Sequence, residues 1–217
     1  KGYKKPVFTI ALGIGVIASV ALGFAKYWLA FLVVFVIAKV GYSVTLVFYD
    51  SMLVDVTSED RMDEVSSQGY AWGYIGSCVP FVISLLLVLG SDKIGISTPV
   101  AMTAAFFLNA AWWGLVTIPL LKNYEQKYYV ENQGSMVKES FARLGRSVAE
   151  LKDNKKVALF LLAFFFYIDG VYTIIEMATS YGKDVGISDA NLLLALLLTQ
   201  VVAFPCAILF GKLTQKF

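Results

Sequence analysis

Six runs of mostly apolar residues, at 7–24, 27–49, 69–89, 99–121, 157–181 and 191–213, restrict this chain to very few folds. Each is near the roughly 20 residues that a helix needs to cross about 30 Å of hydrocarbon. Lipid offers no water, so every backbone N–H and C=O must find its partner within its own segment. Runs of this length therefore predict helices, because a barrel shows short strands of alternating polarity instead. The expected fold is an all-α membrane protein with six transmembrane helices.

Composition narrows the function. Hydrophobic residues make up 58% of the chain and charged residues 16%, against about 45–50% and about 25% in soluble domains. That is too little charge to coat a water-facing surface. Histidine is absent from the sequence, which excludes Ser-His-Asp triads, histidine-ligated metals and histidine proton relays. No Gly-rich phosphate cradle, metal cluster or activated nucleophile stands out, so an enzyme, a cofactor and a nucleic-acid partner are not expected. Cys78 and Cys206 both fall inside apolar runs and read as small packing residues.

The connections alternate in length. Segments 25–26, 90–98 and 182–190 are short, with Gly90, Gly95 and Pro99 as breakers and Ser188 or Asp189 as a cap for the last helix. Segments 50–68 and 122–156 are longer and polar. The chain thus divides into four helices over 1–121, a loop over 122–156, and two helices over 157–217. Lys1 at the start and a polar stretch at the end read as internal positions of a longer chain.

Charge sets the orientation. If the longer loops and both ends share one side, that side holds fourteen of the 18 Lys and Arg residues, including Lys4, Arg61, Lys122, Arg143 and Arg146. The other side holds three, Lys26, Lys93 and Lys183. Positively charged loops stay in the cytoplasm, which assigns the longer loops to that face. Within 135–151, Met136, Phe141, Leu144, Val148 and Leu151 recur near helical spacing among Lys138, Arg143 and Arg146. That pattern predicts an amphipathic helix, either on the membrane face or packed on the protein.

An ionisable side chain at mid-bilayer depth is costly and marks function by default. Lys39 sits near the middle of the second run and Asp169 near the middle of the fifth. Asp169, Tyr172, Thr173 and Glu176 share one helix face, while Lys39, Tyr42, Leu46, Tyr49 and Asp50 form a similar stripe. Two readings fit. Either these residues line a polar cavity that binds a solute and coupling protons, or Lys39 and Asp169 lock two helices together. Gly69, Gly73 and Gly76 are spaced for close helix packing. Gly41 and Gly170 are candidate flex points, Pro205 a candidate kink, and Trp112 and Trp113 candidates for a packed or cavity-facing surface.

Three patches carry a resemblance. Phe48-Tyr49-Asp50-Ser51-Met52-Leu53, followed by Gly69-Tyr70-Ala71-Trp72-Gly73-Tyr74-Ile75-Gly76, resembles the loop between the fourth and fifth helices of the Atg22-like (UMF1) transporters of the major facilitator superfamily. The stretches 167–175 and 194–205 are similar to that family's seventh and eighth helices. Gly211 and Lys212 resemble the start of the superfamily's cytoplasmic loop signature, and Lys1 to Pro6 its tail in the first half. The chain departs from the pattern at Asp50 (usually Asn), at the acidic Asp63-Glu64, and at Gln215 (usually Asp).

The resemblance implies helices three to eight of twelve, four from an N-terminal half and two from a C-terminal half. It implies a secondary transporter exchanging a small polar solute, such as an amino acid in efflux, by alternating access, with protons as the coupling ion. Lys39 and Asp169 then fall on cavity helices, with Glu176, Tyr42, Tyr49 and Tyr172 beside them. Asp50, Arg61, Gly211 and Lys212 fall on gating loops. The implied location is a bacterial plasma membrane, or a vacuolar membrane in a fungus. The rival class is a non-transporting membrane scaffold or receptor with structural charges.

Overall fold

A computed structural model describes residues 2–129, 136–151 and 154–214. Lys1, Gln215, Lys216, Phe217 and the loop stretches 130–135 and 152–153 lie outside the described residues. The elements are α1 (Lys4–Leu22), α2 (Trp28–Val56), α3 (Met62–Leu89), α4 (Thr98–Asn123), α5 (Met136–Glu150), α6 (Lys155–Asp184) and α7 (Asp189–Thr214). Among the described residues there is no strand. All but α5 are long and apolar enough to cross a membrane.

One expected boundary moves. The polar segment 50–68 is not a loop: α2 runs on to Val56, a single 3-10 turn covers Glu59–Arg61, and α3 starts at Met62. At 1.5 Å per residue the 29 residues of α2 extend roughly 43 Å, well beyond the hydrocarbon thickness. Polarity marks where a helix leaves the lipid, not where its hydrogen bonds stop. The first helix likewise starts early, with Pro6 in its first turn, where its missing N–H costs nothing.

The chain forms two compact units. The first joins residues 2–129 to the stretch from Leu193 onward. Phe8, Leu12, Met52 and Tyr124 are its buried centre, flanked by Val16, Phe48, Trp113, Leu120 and Leu121. The α1 and α2 backbones meet at Gly15 and Gly41. A Cβ added to Gly41 would lie 2.9 Å from the Gly15 nitrogen and 3.0 Å from the Ala11 oxygen. Gly41 is thus a contact glycine, not a flex point, and without its bare backbone the two helices cannot approach so closely.

The α7 stretch runs antiparallel to α3 within this unit. Gly211 is buried against Ser67, Trp72 packs edge-on to Phe204, and Ser77 meets Gln200. By contact, α7 from Leu193 onward groups with the first unit. Cys206 is exposed and Cys78 partly so. Neither is the enclosed packing residue expected, because no described helix covers that face of α7.

The second unit holds α5, α6 and the start of α7. Asn154 caps α6 by accepting from the Val157 N–H at 3.3 Å, and Ser188 caps α7 through the Asn191 N–H at 3.4 Å. Between them Gly186 takes φ +85°, a left-handed turn that a side chain would strain. Gly170 has open space around it.

The close approach at Gly41 generates a prediction. Gly41→Val pushes a branched side chain into backbone and should cost about 1–3 kcal/mol. Gly13→Ala, inside α1 with nothing within 4 Å, should cost nothing and raise stability by up to about 1 kcal/mol. Thermal unfolding of the two variants in detergent checks both.

Candidate functional site

Three elements meet at one buried carboxylate. Asp55, near the end of α2, is 1% exposed. Its Oδ2 accepts from Lys4 Nζ at 2.8 Å and from the Tyr124 hydroxyl at 2.6 Å. Its Oδ1 accepts from the Lys127 and Tyr128 backbone N–H groups, each at 3.0 Å. A carboxylate has about four acceptor sites, and all are used. Lys4 also donates to the Ser51 carbonyl at 2.7 Å, Lys5 to the Tyr124 carbonyl at 3.2 Å, and Gln126 accepts from the Lys4 N–H at 3.1 Å. The start of α1, the end of α2 and the chain after α4 are therefore stapled together.

The same cluster acts on Tyr124. Burial pushes its phenol well above the ordinary range, and the hydrogen bond and charge of Asp55 push it further. Neither Asp55 nor Tyr124 stood out in sequence, and Lys4 did so only as one of the cytoplasmic cations. Asp55 lies in a segment read as loop, where acidic charge counts for little in topology, and only its partners reveal it.

A cleft of about 740 Å³ opens in the same unit between α1, α2, α3, α4 and α7. Lys39 and Tyr42 of α2 line it, facing Trp72 and Ser77 of α3, Asn109, Trp112 and Trp113 of α4, and Gln200 of α7. Among the described lining residues Lys39 alone carries charge. The Ser77 hydroxyl lies 2.5 Å from Gln200 Oε1 and 2.8 Å from the Tyr74 carbonyl, and donates to one at a time. Asn109 Nδ2 donates to Ser84 Oγ at 2.9 Å and to the Ala105 carbonyl at 2.8 Å, which leaves its side-chain oxygen as an acceptor.

A second cleft of about 400 Å³ adjoins the first and shares Tyr42, Trp113, Val116 and Thr117 with it. Tyr49 lines this second space. Tyr42 and Trp113 meet edge-on, 6.1 Å between ring centroids, at the boundary.

The other sequence candidates fall elsewhere. Asp169, Tyr172 and Glu176 lie on α6, in the other compact unit, and are exposed there. Asp50 is exposed, and Arg61 pairs with Glu64 at 3.3 Å on the surface. Gly211 is buried at the α3 contact, while Lys212 is exposed. Of the glycines expected to pack, Gly73 and Gly76 open onto the larger cleft, and Gly69 meets only the Tyr49 hydroxyl among the described residues. Small residues pack a helix only where another backbone comes close, and in α3 that happens at Ser67 instead.

Comparison with known proteins settles the family. The model of the family described as vacuole effluxer Atg22 like matches residues 54–217. The chain belongs to that family. An uncharacterised MFS-type transporter of Bacillus subtilis, YxiO, is 45% identical over the whole chain, which covers 52% of the relative. Autophagy-related protein 22 of Cryptococcus neoformans is 28% identical over 77% of the chain and 30% of its own length. Autophagy-related protein 22-1 of Aspergillus niger is also 28% identical, over 71% of the chain and 25% of its length. The chain thus spans about half or less of the length of these relatives. No solved structure matches it. Six spanning-length helices and these relatives make it a multi-pass integral membrane protein of the major facilitator type.

The carboxylate cluster generates two predictions for this Atg22-like chain. Tyr124→Phe removes a hydrogen bond to a buried charge and should cost about 1.5–3 kcal/mol of stability, read by thermal unfolding. Because the folded phenol sits above its unfolded value, its contribution is complete below pH about 10 and is lost as pH climbs further. The stability gap between wild type and Tyr124→Phe should therefore narrow above pH 10. A constant gap would contradict the assignment.

Proposed function

We propose that this chain is part of a secondary transporter that moves a small solute across a membrane by alternating access. In this reading α1 to α4 come from one transporter half, segment 122–156 is the cytoplasmic connection, and α6 and α7 open the other half. One observation carries the reading most: Lys39 lines a cleft of about 740 Å³ whose other walls are aromatic rings, amides and hydroxyls. A cation kept at mid-helix beside open space suits a solute that brings a negative group.

The roles follow from chemistry. Lys39 holds the solute's carboxylate. Asn109 and Gln200 offer amide groups to its polar atoms. Trp72, Trp112 and Trp113 cover its apolar part, as pockets of this size commonly combine apolar walls with a few placed polar groups. Asp169, on the α6 face shared with Tyr172 and Glu176, is the proton or amine site. An amino acid supplies the carboxylate that Lys39 takes, and efflux is the direction in the matching family's description. Tyr42 and Tyr49 line the path beside the cleft.

Reconstitution of the full-length protein in proteoliposomes tests this. Lys39→Met should weaken apparent affinity for an anionic or zwitterionic solute about 10- to 100-fold, the worth of one hydrogen bond to a charged group. Asp169→Asn should abolish pH-driven flux while leaving thermal stability intact. Saturable flux unchanged in Lys39→Met, or pH-coupled flux unchanged in Asp169→Asn, would remove that residue from the site. No saturable flux of any solute by the wild type would favour a scaffold with structural charges.

A further inference from the structure

The transport reading leaves α5 without a task, yet its surface is strongly sided. Phe141, Leu144 and Val148 stand 70%, 60% and 55% exposed. Their i, i+3 and i+7 spacing puts them on one stripe of the helix. Arg146 lies on the opposite side, and Ala142 and Arg143 flank it about equally far from the stripe; all three are exposed. No described residue covers the apolar stripe, and three exposed large side chains in a row ask for an occupant.

The surroundings identify it. Helix α5 ends at Glu150 and the spanning helix α6 starts at Lys155. Five chain steps at no more than about 3.6 Å each hold the end of α5 within roughly 18 Å of the start of α6. That start lies at a bilayer boundary, because α6 has 30 residues and is long and apolar enough to cross. A lipid surface is therefore always within reach, whereas a protein partner would have to be recruited. Lys155 and Lys156 add two exposed cations at the same boundary.

We propose that α5 lies in the interface of a bilayer containing anionic lipid. Phe141, Leu144 and Val148 dip to the edge of the acyl region, and the long Arg143 side chain reaches back from the flank to the headgroup phosphates. Ala142 and Arg146 face water. This is the arrangement of an interfacial amphipathic helix, whose binding combines buried apolar area with attraction to anionic lipid.

The test places one fluorophore at a time on the full chain. With Cys78→Ser and Cys206→Ser as background, Leu144→Cys or Ala142→Cys is labelled with an environment-sensitive dye. The protein is reconstituted in phosphatidylcholine, alone or with about one part in three of phosphatidylglycerol. A dye at position 144 should be quenched by nitroxide lipids and spared by a water-soluble quencher; one at 142 should show the reverse. Arg143→Gln should lower the docked-to-undocked ratio about fivefold in anionic vesicles, and Arg146→Gln, on the water-facing side, should lower it less. The advantage of anionic over neutral vesicles should vanish near 1 M salt, where the Debye length is about 3 Å, a check that needs no variant to fold. Position 144 shielded from both quenchers would mean a protein partner and would overturn the proposal. So would position 144 open to the aqueous quencher, or equal docking in neutral vesicles.

Discussion

A carboxylate withdrawn from water has to find all its partners in the protein, and Asp55 finds them on three separate stretches of chain. One lysine balances its charge, one phenol and two backbone N–H groups fill its remaining acceptor sites. Taking a charge out of water costs several kcal/mol, and only this completeness offsets the cost. Removing any single partner would leave the others desolvated around a gap. The core of Phe8, Leu12, Met52 and Tyr124 lies beside this point, so the apolar packing of α1 and α2 depends on the polar cluster holding their ends in register. Tyr124 belongs to both, with its ring in the core and its hydroxyl on the carboxylate.

The membrane class and the number of spans were legible because the bilayer allows so few alternatives. Runs of apolar residues long enough to span had to be helices, and all six are. Caps at Ser188 and breakers at Gly95 could be read locally, since their reasons are local. The 50–68 segment could not. Its polarity signals departure from lipid, which looks the same whether the backbone stays helical or not. Glycine spacing in α3 has a related limit: it describes one helix surface and says nothing of which backbone comes to meet it. Gly41 carries no such repeat around it, yet it is the glycine on which two helices close.

The site was half visible. Lys39, Tyr42, Trp112 and Trp113 could be singled out from depth in their helices, and they do line one space. Trp72, Ser77 and Gln200 could not, because each joins the cleft only through the crossing of α3 and α7. What results is a chamber with walls of tryptophan and phenylalanine, a few amides and hydroxyls, and a single ammonium group.

The length of α2 carries one more implication. Lys39 and Asp55 stand on the same unbroken helix, sixteen residues apart, or about 24 Å at 1.5 Å per residue. A rod of that reach works as a lever. Tilting it by only about 5° at the cleft swings its far end by about 2 Å, more than a hydrogen bond of ordinary length tolerates. A change of tilt in α2 near Lys39 would thus displace the carboxylate directly, with no intervening chain of side chains to relay it.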